Sequence, residues 1–351
     1  MEQTQNYARY KILFSILALA VLLWGAMGAL DIGNITYIGY DTSPDNVVTL
    51  VRPGSPAEQA GLRVGDVVTK VDGIPIYDVA GFYSRERPAI GSSGTLTVRR
   101  DGAERTLNFK YGAQPTTDMI VNSGFGTLTG LAFLILGVMV YLRNPTRLSI
   151  TLCALSLMFA ALFLPRPYVA SPTSRQIVNA FFSVMVGVLL AVMLDYCLHY
   201  PRAKKVITER PWLRQAIYIF APALGLLFAS INLLTPQIGA RRGMVLSIGS
   251  ALVYGGYILL AVVAVIHSYV KASAGERRET GLNLMMLGMV IGFGPLLVSI
   301  LMHTLIPHMG ELPTERFWPA TVIAIPIGLA LALMKLQPAR AAAQAPESAS
   351  A

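Results

Sequence analysis

Eight long apolar runs constrain the fold of this chain more than any other sequence feature. The first covers residues 12–30 and contains no charged residue. A helix that crosses a bilayer needs about 20 mostly apolar residues, so this run is long enough to span. Seven further runs follow residue 118, at residues 119–142, 148–164, 177–196, 216–234, 244–267, 281–306 and 318–334. The pattern predicts a polytopic α-helical membrane protein with about eight transmembrane helices.

The composition favours the same class of protein. Of the 351 residues, 54% are hydrophobic and only 13% are charged, whereas an average soluble domain has roughly 25% charged residues. The mean hydropathy is +0.55, which excludes a disordered chain or one that coats nucleic acid. We therefore expect the lipid bilayer as a partner and no nucleic acid, although the net charge is +9.

Lysine and arginine are concentrated in alternate connections between the runs, and this asymmetry predicts the orientation. Cytoplasmic loops retain positive charge. One set of connections holds Arg9, Lys11, Arg143, Arg147, Arg202, Lys204, Lys205, Arg210, Arg214, Lys271, Arg277, Arg278, Lys335 and Arg340. The opposite short loops hold only Arg166, Arg175, Arg241, Arg242 and Arg316. We expect both termini in the cytoplasm and the segment after the first helix outside, which is the periplasm in a double-membrane bacterium.

These patterns predict a protein of the cell (inner) membrane and divide the chain into five parts. They are a cytoplasmic N-terminus (1–11), a first transmembrane helix (12–30), an extracytoplasmic domain (35–111), a seven-helix domain (119–334) and a disordered cytoplasmic tail (335–351). A cleaved signal peptide is an alternative for the first helix, because Arg9 and Lys11 precede it and Ala26-Met27-Gly28 is a small-x-small site. Either outcome leaves the extracytoplasmic domain on the same side.

The region between the first two runs has the texture of a soluble α+β unit. Short β-branched segments bounded by Pro, Gly and Asp-Gly turns predict strands at residues 47–51, 67–71, 95–100 and 106–109. Short helices are expected at residues 56–60 and 78–87, with Gly61 ending the first. We expect a small β-barrel that carries two helices.

Residues 53–68 have the sequence PGSPAEQAGLRVGDVV, which resembles the signature of bacterial PDZ domains of the HtrA-type and site-2 proteases. The resemblance covers about residues 35–111. In that family a short loop offers backbone N–H groups to the terminal carboxylate of a peptide, and Tyr37-Ile38-Gly39-Tyr40 occupies the equivalent place. The resemblance implies that the missing side chain of Gly39 allows the carboxylate to approach.

The same resemblance implies that a peptide or protein C-terminus is a partner, bound as an added strand. The peptide would lie between the edge after Tyr40 and a helix that carries Val79, Phe82 and Tyr83. Apolar lining by Ile38, Phe82 and Tyr83 favours an apolar C-terminal residue. Two alternatives stay open: Phe82 and Tyr83 are ordinary domain core, or the ligand is an internal peptide segment.

Few ionisable residues interrupt the seven later runs, and intramembrane ionisable residues are functional candidates. Asp195 lies one turn before His199 and close to a basic cluster, which favours a local ion pair at the interface. Arg277 and Arg278 are further candidates for a relay or a partner contact, as is Pro295. The small residues and prolines around it, Gly288, Gly292, Gly294, Pro326 and Gly328, permit close helix packing or a kink.

The motifs of known catalytic sites are missing from the sequence. There is no HExxH zinc motif, no pair of intramembrane carboxylates and no nucleotide-binding glycine motif, and Ser299 and His303 lack a Gly-x-Ser-x context. Cys153 and Cys197 lie in apolar runs as expected of packing residues. We expect a protein that is not an enzyme and that has no cofactor and no metal site.

The seven-helix region resembles the membrane sensor part of some bacterial histidine kinases, including the competence-pheromone receptor kinases. The resemblance rests on Leu198-His199-Tyr200-Pro201 and on the loop at residues 274–280. Because no phospho-accepting helix or ATP-binding domain follows residue 334, any output is expected to pass to a separate signalling protein. The sequence therefore predicts a sensor whose PDZ domain captures a peptide. A PDZ adaptor that recruits substrates to a membrane protease or assembly factor is the alternative, and a transporter is a third.

Overall fold

The computed structural model describes residues 8–43, 45–234, 240–305 and 318–343. Within these ranges it excludes the side chains at positions 79, 80, 83, 121, 122, 231–234, 240–248, 250, 251, 296, 297, 300, 301, 303–305, 318, 319 and 337–343. One helix precedes a small α+β unit, and helices follow it to the end of the described chain.

The α+β unit covers residues 36–113 and is called the inserted domain below. Before it lie α1 (Lys11–Asp31) and a 3-10 turn (Ile32–Asn34). Its elements are β1 (Thr36–Tyr37), β2 (Tyr40–Thr42), β3 (Val48–Val51), α2 (Pro56–Gln59), β4 (Val67–Val71), β5 (Ile74–Pro75), α3 (Val79–Ser84), β6 (Ser93–Arg100), β7 (Ala103–Lys110) and β8 (Gly112–Ala113).

Three antiparallel ladders surround one apolar core in the inserted domain. The largest has the order β5-β4-β6-β7, while β2 pairs with β3 and β1 pairs with β8. Side chains of a strand alternate between faces, and accordingly Leu96 and Val98 on β6 are buried while their neighbours are not. They pack with Val48, Val68 and Phe109. The predicted barrel is thus realised as separate ladders around a shared core.

Two Asp-Gly turns fix the register of the largest ladder. Asp72 and Gly73 have φ of 51° and 76°, and Asp101 and Gly102 have φ of 54° and 80°. A type I′ turn requires positive φ at both central residues, and Asp-Gly tolerates it well. The turns consequently place Val71 opposite Ile74 and Arg100 opposite Ala103.

The described residues after the inserted domain are mostly helical. Its elements are α4 (Thr116–Met119), a π-helical turn (Ile120–Gly124), α5 (Phe125–Arg143), α6 (Arg147–Phe163), α7 (Pro172–His199), α8 (Lys205–Glu209), α9 (Pro211–Leu234), α10 (Ala240–Lys271), α11 (Ala274–Glu279), α12 (Leu282–Leu305), α13 (Trp318–Val322) and α14 (Ala324–Ala343). Among the described residues, five helical segments are long and apolar enough to cross a membrane: Lys11–Asn34, Phe125–Arg143, Pro172–His199, Pro211–Ser230 and Leu252–Lys271. Arg147–Phe163, Leu282–Pro295 and Ala320–Leu336 are shorter apolar helices.

Glycines allow the closest helix contacts. A Cβ on Gly187 of α7 would lie 2.4 Å from the carbonyl oxygen of Ala221 on α9, and a Cβ on Gly288 of α12 would lie 2.5 Å from that of Ala324 on α14. On α1, a Cβ on Gly28 would lie 2.1 Å from the carbonyl oxygen of Pro165. Backbones can approach this closely only where no side chain intervenes.

The observed bounds differ from the predicted ones where local chemistry overrides hydropathy. The eighth run is divided between α13 and α14, and Pro326 lies in the first turn of α14, where its missing N–H costs little. The helix then continues to Ala343, beyond the predicted boundary at residue 334, through a segment rich in alanine, the best helix former. The second helix of the inserted domain ends at Ser84 instead of residue 87, since Arg85 has extended φ and ψ.

Candidate functional site

The loop Tyr37-Ile38-Gly39-Tyr40 joins β1 to β2 and is held by its carbonyl oxygens. The oxygen of Ile38 accepts a hydrogen bond from Ala57 N at 2.9 Å, and that of Gly39 accepts from Arg52 N at 2.9 Å and from Ser55 Oγ at 3.3 Å. Within the described part of the chain, no hydrogen bond from the N–H of Ile38 or Gly39 is found. When the carbonyl oxygens of a loop are hydrogen-bonded within the domain and its N–H groups are not, those N–H groups can bind an anion.

Gly39 is required by the domain itself. Its φ is +92°, and a Cβ there would lie 2.3 Å from Cβ of Ser55. A side chain at this position would strain the backbone and collide with the N-cap residue of α2. Substitution of Gly39 would therefore disturb the loop itself. The sequence indicates only carboxylate access for Gly39 and does not identify this structural requirement.

One edge of β2 is available for an added strand. On the other edge, Tyr40 and Asp41 lie opposite Val51 and Leu50 of β3. The carbonyl oxygen of Gly39 accepts a hydrogen bond from Arg52 N, on the β3 side. Because these bonds alternate along an antiparallel ladder, the N–H and carbonyl groups of Tyr40, the next residue, face the opposite edge. In the described ladders that edge has no partner strand. Burial raises the pKa of Tyr40 to about 12, so its phenol stays neutral.

Helix α3 carries the other predicted groove residues. Asp78 caps its N-terminus by accepting from Gly81 N at 2.9 Å. Phe82 is partly buried and packs against the same apolar core as Ile38 and Tyr40, so the core alternative for this residue stays open. The side chains of Val79 and Tyr83 lie outside the described residues.

Asp72 fastens the end of α3 to the sheet. Its carboxylate accepts from Arg85 Nη1 at 2.5 Å, from Tyr111 Oη at 2.6 Å and from Thr95 N at 2.7 Å. Burial alone would raise the pKa of Asp72, but the three hydrogen bonds hold that pKa below its usual value. Arg85 also lies 5.2 Å from the centre of the Phe82 ring, so the α3 end of the groove is firmly attached.

The inserted domain contacts the helices at the same place. Arg175, on the first turns of α7 and only 6% exposed, donates to the carbonyl oxygen of Arg85. Arg87 lies 5.2 Å from the centre of the Tyr168 ring. A second link joins Arg52 to Asp118 at 3.7 Å. Helix α3, which carries predicted groove residues, is therefore also the element that contacts α7.

The other end of α7 carries a buried charge cluster. Asp195 is 2% exposed, and its carboxylate lies 3.2 Å from Arg214 Nε, 3.2 Å from His199 Nδ1 and 3.9 Å from Arg147 Nη2. Tyr218 donates to it at 3.1 Å. The structure thus brings the predicted pair Asp195 and His199 together with two arginines that the sequence identifies only as orientation signals.

A cavity of about 540 Å³ opens beside this cluster. It is lined by Arg147, His199, Ala203, Ile207, Thr208, Pro211, Arg214, Gln215 and Tyr218. The lining residues come from α6, α7, α8 and α9 and from the α7–α8 connection.

The two loop segments singled out in the helical region contact each other. Tyr200, 1% exposed, donates to the carbonyl oxygen of Thr280, and Arg202 lies 3.2 Å from Glu276. Arg277 bonds to the carbonyl oxygen of Ala272 at 3.0 Å and covers the ring of Tyr269, whereas Arg278 is exposed. Pro295 lies in the middle of α12 and is exposed. It is 100 positions after Asp195 in the sequence.

Other candidate chemistry is sparse in the described part of the chain. No group of three or more His, Cys, Asp or Glu that could hold a metal occurs among those residues. Cys153 and Cys197 are both buried. The side chain of His303 lies outside the described residues.

Comparison with known proteins assigns the inserted domain. Residues 47–100 match the family model of the PDZ domain. Over 79 residues the chain is 38% identical to a protein of Rhizobium meliloti (strain 1021) named as a DegP-like periplasmic serine endoprotease, which covers 21% of this chain and 15% of that protein. Over 92 residues it is 36% identical to a protein of Neisseria meningitidis serogroup A named as a zinc metalloprotease, which covers 24% of this chain and 20% of that protein.

These matches extend over a fifth or less of the curated relatives. The resemblance of the helical region to sensor kinases stays a prediction. The family match runs from the start of β3 to the end of β6, within the ladders and the core described above. The chain therefore contains a PDZ domain, joined to apolar helices that could span a membrane.

Proposed function

We propose that this protein is a membrane receptor whose PDZ domain binds a peptide or a protein C-terminus on the outer side of the inner membrane. The observation that carries the proposal is the loop at Ile38 and Gly39. Its two carbonyl oxygens accept hydrogen bonds within the domain, whereas its two N–H groups have no hydrogen-bond partner among the described residues. A carboxylate is the ligand that such paired donors fit.

The free edge of β2 supports the same mode of binding. A peptide strand that pairs with Tyr40 would continue the β3–β2 ladder, and its main chain would supply most of the affinity. Its last side chain would lie near Ile38 and Phe82, which favours an apolar C-terminal residue.

We further propose that peptide occupancy is passed to the helices, as in a sensor. The support is the position of α3, which borders the groove and is bonded at Arg85 to Arg175 of α7. A ligand that binds one arrangement of α3 and α7 more tightly than another would shift their populations. The output would then go to a separate signalling protein at the far end of α7.

The second candidate is an adaptor that recruits substrates to a separate membrane protease. It is favoured by the comparisons, since both relatives are named as proteases. In either case this chain supplies binding and no catalytic step of its own.

Peptide binding can be tested with the full chain in nanodiscs. Fluorescent peptides with apolar C-terminal residues are titrated as free acids and as C-terminal amides. We expect Ile38→Ala to weaken binding of the free acids about tenfold, because a few buried methyl groups contribute roughly 1–3 kcal/mol to recognition. Leu50→Ala is the matched control: Leu50 lies on β3 and is 42% exposed.

Amidation should weaken binding to the wild type and to Leu50→Ala alike. Equal affinity of the wild type and a folded Ile38→Ala variant for every peptide would place the ligand elsewhere. Equal affinity for acids and amides would instead indicate an internal peptide segment as the ligand.

A further inference from the structure

A cavity with a basic wall lies at the end of α7 that is remote from the PDZ domain. The cavity of about 540 Å³ found there is large enough for a small anionic ligand. Its polar wall consists of Arg147, His199 and Arg214, with Thr208 and Gln215 at its rim. None of the residues that line this described cavity is acidic.

The charges at the cavity do not balance. Arg147 and Arg214 share a single carboxylate, that of Asp195, at 3.9 and 3.2 Å. The two guanidinium groups and this one carboxylate together carry a net charge of +1. Each guanidinium has five N–H donors. Arg214 turns Nε to Asp195, and among the described residues its two terminal nitrogens make no hydrogen bond and can donate to a ligand.

The geometry is fixed before a ligand arrives. Asp195 is 2% exposed, and Tyr218 donates to its carboxylate at 3.1 Å. His199 Nδ1 lies 3.2 Å from that carboxylate and 2.8 Å from the main-chain carbonyl oxygen of Asp195. His199 in turn lies 2.9 Å from Arg147 Nη2. Such a network holds both guanidinium groups in place, which lowers the entropy lost on binding.

We propose that this cavity binds a phosphate group, held by Arg147 and Arg214. Guanidinium groups pair with phosphate oxygens through two parallel N–H bonds, and two arginines facing one space can take a single phosphate. Ile207 and Pro211 form an apolar part of the lining, and Trp212, next to Pro211 in sequence, is 57% exposed. Exposed tryptophan is enriched at the headgroup level of membranes.

The phosphate can come from a lipid headgroup or from a soluble phosphate compound. The full chain is purified in neutral detergent, and binding of phosphatidylglycerol is followed by native mass spectrometry. Phosphatidylcholine, which has no net charge, is the lipid control, and inorganic phosphate is added as the soluble competitor.

Arg214→Gln is expected to weaken binding about tenfold or more, the loss typical of one charge-assisted hydrogen bond. Arg210→Gln is the matched control: Arg210 is exposed, lies four residues earlier and does not line the cavity. Because Arg214→Gln also changes the partners of Asp195, a second variant, Thr208→Trp, fills the cavity and leaves the charged residues intact.

Loss of phosphatidylglycerol in Arg214→Gln and Thr208→Trp but not in Arg210→Gln would support a lipid phosphate. Displacement of the lipid by inorganic phosphate at millimolar concentration, with the same variant pattern, would support a soluble phosphate ligand. Equal losses in Arg210→Gln and Arg214→Gln, or none in Thr208→Trp, would reduce the effect to general attraction between a basic surface and anionic lipid and would overturn the proposal.

Discussion

At the level of single residues, two aspartates hold separate elements of the PDZ domain together. Asp66, 2% exposed, accepts from Arg100 Nε and Nη2 at 2.7 Å and from Arg63 N at 2.8 Å. It thereby fixes the turn before β4 to the end of β6. Asp72 does the same for the end of α3. Asp66 therefore stabilises the sheet, whereas Asp72 holds α3, which carries predicted groove residues.

The lowered pKa of Asp66 predicts a pH dependence of stability. The hydrogen bonds from Arg100, together with that from Arg63 N, hold the pKa of this carboxyl below its usual value, although burial opposes them. A carboxyl whose folded pKa is depressed stabilises the fold above the unfolded pKa of about 3.9, and that stability is lost as the pH falls through the folded pKa. Acidification from pH 5 to pH 3 should therefore destabilise the PDZ domain.

Pulse proteolysis of the full chain in urea at several pH values can measure this effect. At pH 7, Asp66→Asn should unfold at a lower urea concentration than the wild type. On acidification, this variant should lose less stability than the wild type. Glu86→Gln, which removes one exposed carboxyl from the same domain, should keep the wild-type profile. Parallel pH profiles of the wild type and Asp66→Asn would contradict this account.

Secondary structure elements are where the sequence was most informative. The strand at residues 67–71 and both Asp-Gly turns follow from β-branched residues and local turn chemistry, and the structure has them at those positions. The cluster at Asp195 could be predicted only in part: His199 is one turn away, but Arg147 and Arg214 are 48 and 19 positions distant. Contacts of that kind depend on how helices pack, and no local pattern encodes them.

The junction of α3 and α7 predicts a test that separates sensor from adaptor. Peptide binding should slow amide hydrogen exchange along α7 of the wild type in nanodiscs, because α3 is bonded to its first turns through Arg85 and Arg175. Arg175→Met should keep the peptide affinity within about twofold but lose the added protection of α7. Arg166→Met is the control, since Arg166 lies 4.0 Å from the centre of the Phe182 ring instead.

If a bound peptide leaves exchange in α7 of the wild type unchanged, occupancy does not reach the helices. The adaptor would then be the better hypothesis. Loss of protection in Arg166→Met as well would indicate general loosening of the helices, without a specific path through Arg175.

At the scale of the whole molecule, helix α6 decides the topology. The helices α5, α6 and α7 lie between residues 103 and 205. If all three cross the membrane, the two residues lie on opposite sides; if α6 does not cross, they lie on the same side. Helix α6 has 17 residues, or about 26 Å at 1.5 Å per residue, slightly less than the hydrocarbon core of about 30 Å. A helix this short crosses if the bilayer thins or its flanking residues extend to the interface.

The distribution of lysine and arginine favours three crossings, with the PDZ domain outside and the α7–α9 connection in the cytoplasm. Single cysteines can test this in intact cells. Ala103→Cys, exposed at the β6–β7 hairpin, should react with a membrane-impermeant maleimide. Lys205→Cys, exposed on α8, should react only after permeabilisation. Because Cys153 and Cys197 are 0% and 2% exposed, they should add little background. Labelling of both introduced cysteines in intact cells would mean that α6 does not cross, and the eight-helix topology would have to be abandoned.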